Sequence, residues 1–146
     1  MPFLGTHQRK IDDKWRLPLP HDLLYRESSA EGTPYLISAE PDHLILFSET
    51  SFSQVTDLLY GKNILEHKEL RKDFLGRTYP KTLDKAGRIA IPEALRGVEG
   101  FSPSIEVKIV GTGPYAEIWP VTRTEPEAGT KGGVALIDSL AAAIRG

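Results

Sequence analysis

Arg16 and Arg88 carry the clearest chemistry in this chain. Each closes a short block that opens on an aspartate: Asp12-Asp13-Lys14-Trp15-Arg16 and Asp84-Lys85-Ala86-Gly87-Arg88. An arginine guanidinium is a planar fork that can pair bidentately with the O6 and N7 atoms of guanine. A lysine in such a block suits a phosphate contact, which positions without reading sequence. Aspartate in a turn most often bonds its own backbone. Asp12 and Asp84 are therefore read first as turn-shaping, and second as able to orient the neighbouring arginine. Gly87 is the third turn-shaping residue, because glycine adopts positive φ without steric cost.

The elements around these blocks repeat. Leu83 to Pro92 aligns with Ile11 to Pro20 at a constant offset of 72, which matches Arg16 to Arg88, Pro20 to Pro92 and Leu23 to Leu95. The offset continues without a gap, placing Ile37 on Ile109, Leu46 on Ile118 and Phe47 on Trp119. Two copies at this spacing indicate one small duplicated unit and not a solenoid array. Units this short rarely bury enough apolar surface to be stable alone, so a shared core is expected.

Composition narrows the class. The chain has 146 residues, 40% hydrophobic and 26% charged, which is ordinary for a globular protein. The absence of cysteine excludes disulfides and thiolate metal sites and is compatible with a reducing cytoplasm. No run of about 18 apolar residues predicts a membrane span. The first residues lack the apolar region of a signal peptide. The net charge of −2 argues against a simple polycation, but its distribution is uneven. Residues 5–16 carry +2 through Arg9, Lys10, Lys14 and Arg16, and residues 77–88 carry +3 through Arg77, Lys81, Lys85 and Arg88. The rest of the chain carries −7. The bland reading of both windows is a solvated hairpin face.

Read in order, residues 5–11 form a first strand, 12–15 a turn, 16–19 a second strand, and Pro20 opens a short helix to about residue 26. Pro18 removes a ladder donor, so the second strand belongs at an edge or a bulge. Strands follow over 34–39 and 43–47. Phe52, Val55, Leu58 and Leu59 share a helical face, Gly61-Lys62-Asn63 is a break, and Ile64, Leu65 and Leu70 continue into a second helix. The second unit leads from Phe74 to Leu83 into its turn, then a strand, a helix over 92–96, and strands over 105–110 and 115–119. Residues 122–133 read as a polar linker, and 134–144 as a last amphipathic helix.

Two units of strand, Asp-Lys-x-Gly-Arg-type turn, strand, proline-led helix and two further strands resemble the SpoVT-AbrB domain. Two in tandem, with an N-terminal Phe3-Leu4-Gly5-Thr6, Phe74-Leu75-Gly76 ahead of the second turn and a C-terminal Glu117-Ile118-Trp119, resemble the MraZ family over about residues 3–120. The resemblance implies an α+β, mainly β fold: a double-psi or swapped-hairpin barrel of the AbrB/MazE-like kind, with linker helices and a C-terminal helix. The boundaries it implies are module 1 at 5–51, a helical linker at 52–73, module 2 at 74–123, and a linker and helix at 124–146. It also implies a ring-like homo-oligomer that binds double-stranded promoter DNA at short G-containing direct repeats. Such a protein regulates transcription of a division and cell-wall gene cluster, including its own promoter, in the cytoplasm at the nucleoid. Carried over by position, Lys14, Arg16, Lys85 and Arg88 face DNA, and Arg9, Lys10 and Lys81 extend the basic surface beside them.

The first unit departs from the pattern, with Trp15 where the family has glycine. If that position needs positive φ, tryptophan is strained there by about 1–2 kcal/mol. The expectation is therefore a first turn of another shape and a weaker first reading head. Trp15 either folds back onto the body or packs between subunits, as aromatics often do at interfaces. An alternative reading follows: an oligomeric scaffold of the same fold with weakened DNA binding that acts through protein partners. An antitoxin of related fold is a distant third. Enzymatic activity has little support. His7, His21, His43 and His67 form no ligand pair, and neither a phosphate-binding Gly-x-x-x-x-Gly-Lys loop nor a Gly-x-Ser-x-Gly elbow occurs. No catalytic residue, metal, cofactor, membrane or small-molecule substrate is expected.

Overall fold

The computed structural model describes residues 2–24, 30–60 and 65–121. The repeat seen in sequence governs the strands. β1 (Thr6–Lys10), β2 (Arg16–Pro18), β3 (Pro34–Ala39) and β4 (Leu44–Ser48) recur as β5 (Thr78–Thr82), β6 (Arg88–Ala90), β7 (Glu106–Gly111) and β8 (Ala116–Pro120). Every bound is displaced by 72. A helix α1 (Glu49–Tyr60) and a second helix α2 (Lys68–Leu75) lie between the two sets.

Pairing crosses between the sets. A six-stranded antiparallel sheet runs β1-β7-β8-β4-β3-β5, and β2 pairs with β6 in a separate two-stranded ribbon. The register has internal two-fold symmetry. Thr6 faces Val110 and Lys10 faces Glu106, while Thr78 faces Ser38 and Thr82 faces Pro34. In the ribbon Leu17 faces Ile89, and in the sheet centre Ile45 faces Glu117, so the pseudo-axis passes through these two pairs. The expected closed barrel is not formed as one continuous ladder: the six-stranded sheet is open, with β1 and β5 at its edges. The physical reason lies in the short strands that follow each turn. β2 and β6 are only three residues long, and Pro18 ends the first of them. They pair with each other instead of extending the sheet, which also places Pro18 in an edge strand, as expected.

One apolar cluster draws on both sets: Phe3, Ile11, Leu17 and Leu46 pack with Ile89, Ile91, Val107 and Ile118. β4 is buried along its whole length because both faces are covered. Leu44 and Leu46 point into this cluster, whereas Ile45 and Phe47 meet Leu59 of α1 and Phe74 of α2 on the other side. Phe47, Phe52 and Phe74 form an aromatic triangle there, with centroids 5.5–5.8 Å apart. Ser48 and Ser51 cap α1 reciprocally. The Ser51 N–H donates to Ser48 Oγ at 3.1 Å and the Ser48 N–H donates to Ser51 Oγ at 3.0 Å.

Several local expectations need correction. Leu58 leaves the α1 stripe and is 53% exposed, because it sits off the face shared by Phe52, Val55 and Leu59. Leu65 precedes α2 in a turn and is 74% exposed. Phe74 belongs to α2, not to the strand that follows. Residues 21–23 form turns and not a helix after Pro20, and Leu24 makes an isolated bridge to Phe3. The second proline-led helix is a single 3-10 turn, Glu93–Leu95. The break at Gly61-Lys62-Asn63, Ile64, and the linker and helix expected over 124–146 lie outside the described residues.

Candidate nucleic-acid interface

The two blocks singled out in sequence build two hairpin turns of one design. In each, the aspartate and the arginine close the loop: the Asp12 N–H donates to the Arg16 carbonyl, and the Asp84 N–H to the Arg88 carbonyl, both at 2.9 Å. The Trp15 N–H donates back to the Asp12 carbonyl at 3.2 Å and the Gly87 N–H to the Asp84 carbonyl at 3.0 Å. This is the three-residue hairpin in which the last loop residue takes a left-handed conformation. Gly87 does so at φ 78° and Trp15 at φ 62°. The expectation of a differently shaped first turn is therefore overturned.

The aspartate carboxylates supply the force that holds both turns. Asp12 Oδ1 accepts the Lys14 and Arg16 N–H groups at 2.9 and 2.8 Å. Asp84 Oδ1 accepts the Ala86 and Arg88 N–H groups, both at 2.9 Å. The other oxygen takes a guanidinium: Arg16 Nε at 2.7 Å from Asp12 Oδ2, and Arg88 Nε at 3.0 Å from Asp84 Oδ2. Partial desolvation pushes the Asp12 carboxyl upward, but the Arg16 amide, the Arg16 guanidinium and the Lys14 amide outweigh it and hold it below its ordinary value. At Asp84 the Arg88 amide is the largest influence and lowers the carboxyl against the same opposing desolvation. Each carboxylate thus bonds both the backbone of its own turn and the guanidinium that closes it.

Each turn is also tied to the opposite set of strands. The Trp15 carbonyl accepts the Ile91 N–H at 2.8 Å, and the Gly87 carbonyl accepts the Leu19 N–H at 3.1 Å. On the β2–β6 ribbon, Leu17 and Ile89 point inward and are fully buried. Alternation then puts Arg16 and Arg88 on the outer face, as diagonal neighbours. Their side chains are about one-third exposed, at 32% and 31%. Lys14 and Lys85 are exposed at the turn tips.

The remaining basic residues are less concentrated. Arg9 is half-buried on β1, donates from Nη1 to the Gln8 carbonyl at 2.7 Å, and lines a cavity of about 230 Å³ together with Leu24, Tyr35 and Gly87. It therefore sits beside the second turn, not its own. Lys10 is exposed opposite Glu106. Lys81 lines a separate groove with Tyr79, Pro92 and Glu93, away from the groove that holds Lys85 and Arg88.

Two contributors escaped the sequence reading. Glu31 shares the groove of Lys85 and Arg88. Arg96 places its guanidinium carbon 5.3 Å from the centroid of Trp15, whose ring also packs on the main core. The repeat held a signal for Arg96. Its counterpart 72 residues earlier is Leu24, and Gly87 is the counterpart of Trp15. Leu24 and Gly87 line the open cavity, whereas Trp15 and Arg96 stack at the equivalent place. Trp15 thus folds back onto the body, one of its two expected fates.

His43, expected at a strand position and not as a ligand, lies just before β4. It is buried, stacks on Trp119 at 4.1 Å, and has Nδ1 2.8 Å from Asp42 Oδ1. Among the described residues no group of three or more His, Asp or Glu side chains could hold a metal. No described helix is long and apolar enough to cross a membrane.

No family model matches the chain. Curated relatives do. The transcriptional regulator MraZ of Kocuria rhizophila is 36% identical over 120 residues, covering 80% of each chain. Those of Arthrobacter sp. (strain FB24) and Paenarthrobacter aurescens (strain TC1) are each 33% identical, over 119 and 120 residues, again covering 80% of each chain. The chain belongs to the MraZ family. The paired hairpin turns and their arginines form the candidate site of this chain. Both are fully formed here, including the one that carries tryptophan.

Proposed function

We propose that this chain is a transcriptional regulator that binds double-stranded DNA sequence-specifically through its two arginine turns. The observation that carries this reading is the outer face of the β2–β6 ribbon. There Arg16 and Arg88 are each fixed through Nε by a carboxylate, with about one-third of each side chain exposed. A fork held this way suits end-on pairing with guanine O6 and N7. Lys14 and Lys85 at the exposed tips suit flanking phosphates, with Arg9, Lys10 and Lys81 as outlying cations. The names of the relatives support regulation of transcription.

In this reading residues 5–51 and 74–123 are two SpoVT-AbrB modules, 52–73 is their linker, and 124–146 is a tail. Strand exchange between the modules supports a swapped-hairpin arrangement. The family resemblance favours a homo-oligomeric ring at the nucleoid, acting on G-containing direct repeats before a division and cell-wall gene cluster and its own promoter. Linking several weak heads raises avidity without new contacts. The scaffold alternative rested partly on an interface role for Trp15. Its packing on the core and Arg96 weakens that support.

The test is a gel-shift titration of the full chain against the DNA upstream of its own reading frame, in a series of salt concentrations. A retarded complex is expected that outcompetes scrambled duplex and weakens with salt, at a slope of roughly −0.9 per phosphate neutralised. Equal affinity for operator and scrambled duplex would overturn sequence-specific reading.

A further inference from the structure

Asp12, Arg16, Asp84 and Arg88 form one line of ion pairs and not two separate pairs. Arg16 Nε lies 2.7 Å from Asp12 Oδ2, Arg88 Nη1 lies 3.6 Å from the same oxygen, and Arg88 Nε lies 3.0 Å from Asp84 Oδ2. Among the described residues no ion pair joins Arg16 to Asp84, so the pseudo-symmetry is broken at this point. Asp12 serves both arginines and Asp84 serves one.

We propose that Asp12 is a positioning residue for both reading arginines, so that the two turns of one chain engage DNA as a single composite head. This rests on the reading of the turns as the DNA surface. The antiparallel ribbon makes the shared contact possible. Arg16 lies opposite Ala90 and Arg88 opposite Pro18, which places the two guanidinium groups diagonally on one face. Each Nε–H is already committed, so side-on pairing through Nε is closed; what is left for a base is the terminal fork of Arg16 and the part of the Arg88 fork that does not face Asp12. The direction of a terminal fork is then set by the carboxylate behind it. For Arg16 that is Asp12 alone, and for Arg88 it is Asp84 at Nε and Asp12 at Nη1. Removing the charge at Asp12 releases one fork and re-aims the other. Removing it at Asp84 disturbs only Arg88.

The experiment compares the full-length wild type with Asp12→Asn and Asp84→Asn. Asparagine keeps the Oδ1 acceptor that both turns need. Both variants should stay fully folded at the assay temperature and keep the wild-type oligomeric mass, which separates positioning from folding. Each protein selects duplexes from a pool of random sequence, and isotherms are then measured on the duplex that wild type prefers. Asp12→Asn should relax base preference at two separate positions and weaken binding about 5- to 100-fold, as expected when two base contacts are partly lost. Asp84→Asn should relax one position only. Equal, single-position effects for the two variants, or an unchanged profile for Asp12→Asn, would overturn the coupling.

A second readout needs no DNA. Arginine-selective nitrogen NMR reports hindered rotation of the Nη groups. Asp12→Asn should shift the Nε resonance of Arg16 and speed Nη rotation in Arg88, while Asp84→Asn should shift the Nε resonance of Arg88 and leave Arg16 unchanged. An unchanged Arg88 signal in Asp12→Asn would refute the shared carboxylate. If wild type enriches no sequence but the NMR result holds, the coupling stands and the DNA reading fails, so the two claims are separable.

Discussion

The turn at Asp12–Arg16 and the turn at Asp84–Arg88 differ at the residue that should matter most, yet share one geometry. Gly87 takes φ 78° freely, and Trp15 takes φ 62° at a cost of about 1–2 kcal/mol. The hydrogen bonds around them agree to within about 0.3 Å, from the Asx contacts to the loop closure. The comparison teaches that the aspartate carboxylate dictates the turn. The glycine makes it easy but is not required. It also shows where the strain in the first turn is offset: the indole packs on the core and under Arg96, while the corresponding place beside Gly87 stays an open cavity.

The largest expected effects test the symmetry beneath the turns. Leu17 and Ile89 face each other on the pseudo-axis and are fully buried. Leu17→Ala and Ile89→Ala should each cost about 2–5 kcal/mol of stability in denaturant unfolding. A loss confined to one of them would mean that the halves do not share a core.

Substitutions within the turns should cost less, for different reasons in each. Trp15→Ala keeps the left-handed strain and loses half-buried packing, so a loss of roughly 1–3 kcal/mol is expected. Gly87→Ala meets no atom within 4 Å, so its cost should be purely conformational, about 1–2 kcal/mol. Arg96→Ala removes the cation above the Trp15 ring and should cost about 0.5–1 kcal/mol. That loss should shrink in a Trp15→Ala background to what the Arg96 Nε–H bond to the Ile91 carbonyl, 3.2 Å long, contributes. A double-mutant cycle showing full additivity would remove the stack from the account.

The smallest effect is the pH dependence. Both carboxyls lie below their ordinary value of 3.8 in the folded chain. A depressed folded value means the unfolded chain binds protons first, so the aspartates contribute stability above pH 3.8 and lose it as pH falls through the folded values. Unfolding midpoints across pH should show wild type losing its advantage over Asp12→Asn and Asp84→Asn on the acid side only. An advantage that persists at the acid limit would assign it to something other than charge.

Much of this was legible in the sequence because it is local. The offset of 72 carried every strand bound, and β3 matched its expected range of 34–39. Asp12 and Asp84 were recognisable because an Asx turn is built within five residues. What could not be read depends on partners distant in the chain. The pairing of β1 with β7 and the open sheet follow from non-local ladders, which alternation alone does not specify. The shape of the first turn was misjudged because the glycine argument weighed one residue's φ without the carboxylate bonds that impose it. Arg96 and the Arg88–Asp12 pair were invisible because each joins opposite halves.

We propose, above all, that the arginines of both turns read DNA. The most direct test is a pair of binding isotherms, Arg16→Ala and Arg88→Ala, on operator and scrambled duplex, after each variant is shown to keep its oligomeric mass. Comparable losses of about 1–3 kcal/mol on operator, with little change on scrambled duplex, are the predicted result. Wild-type affinity for operator in either variant would contradict it.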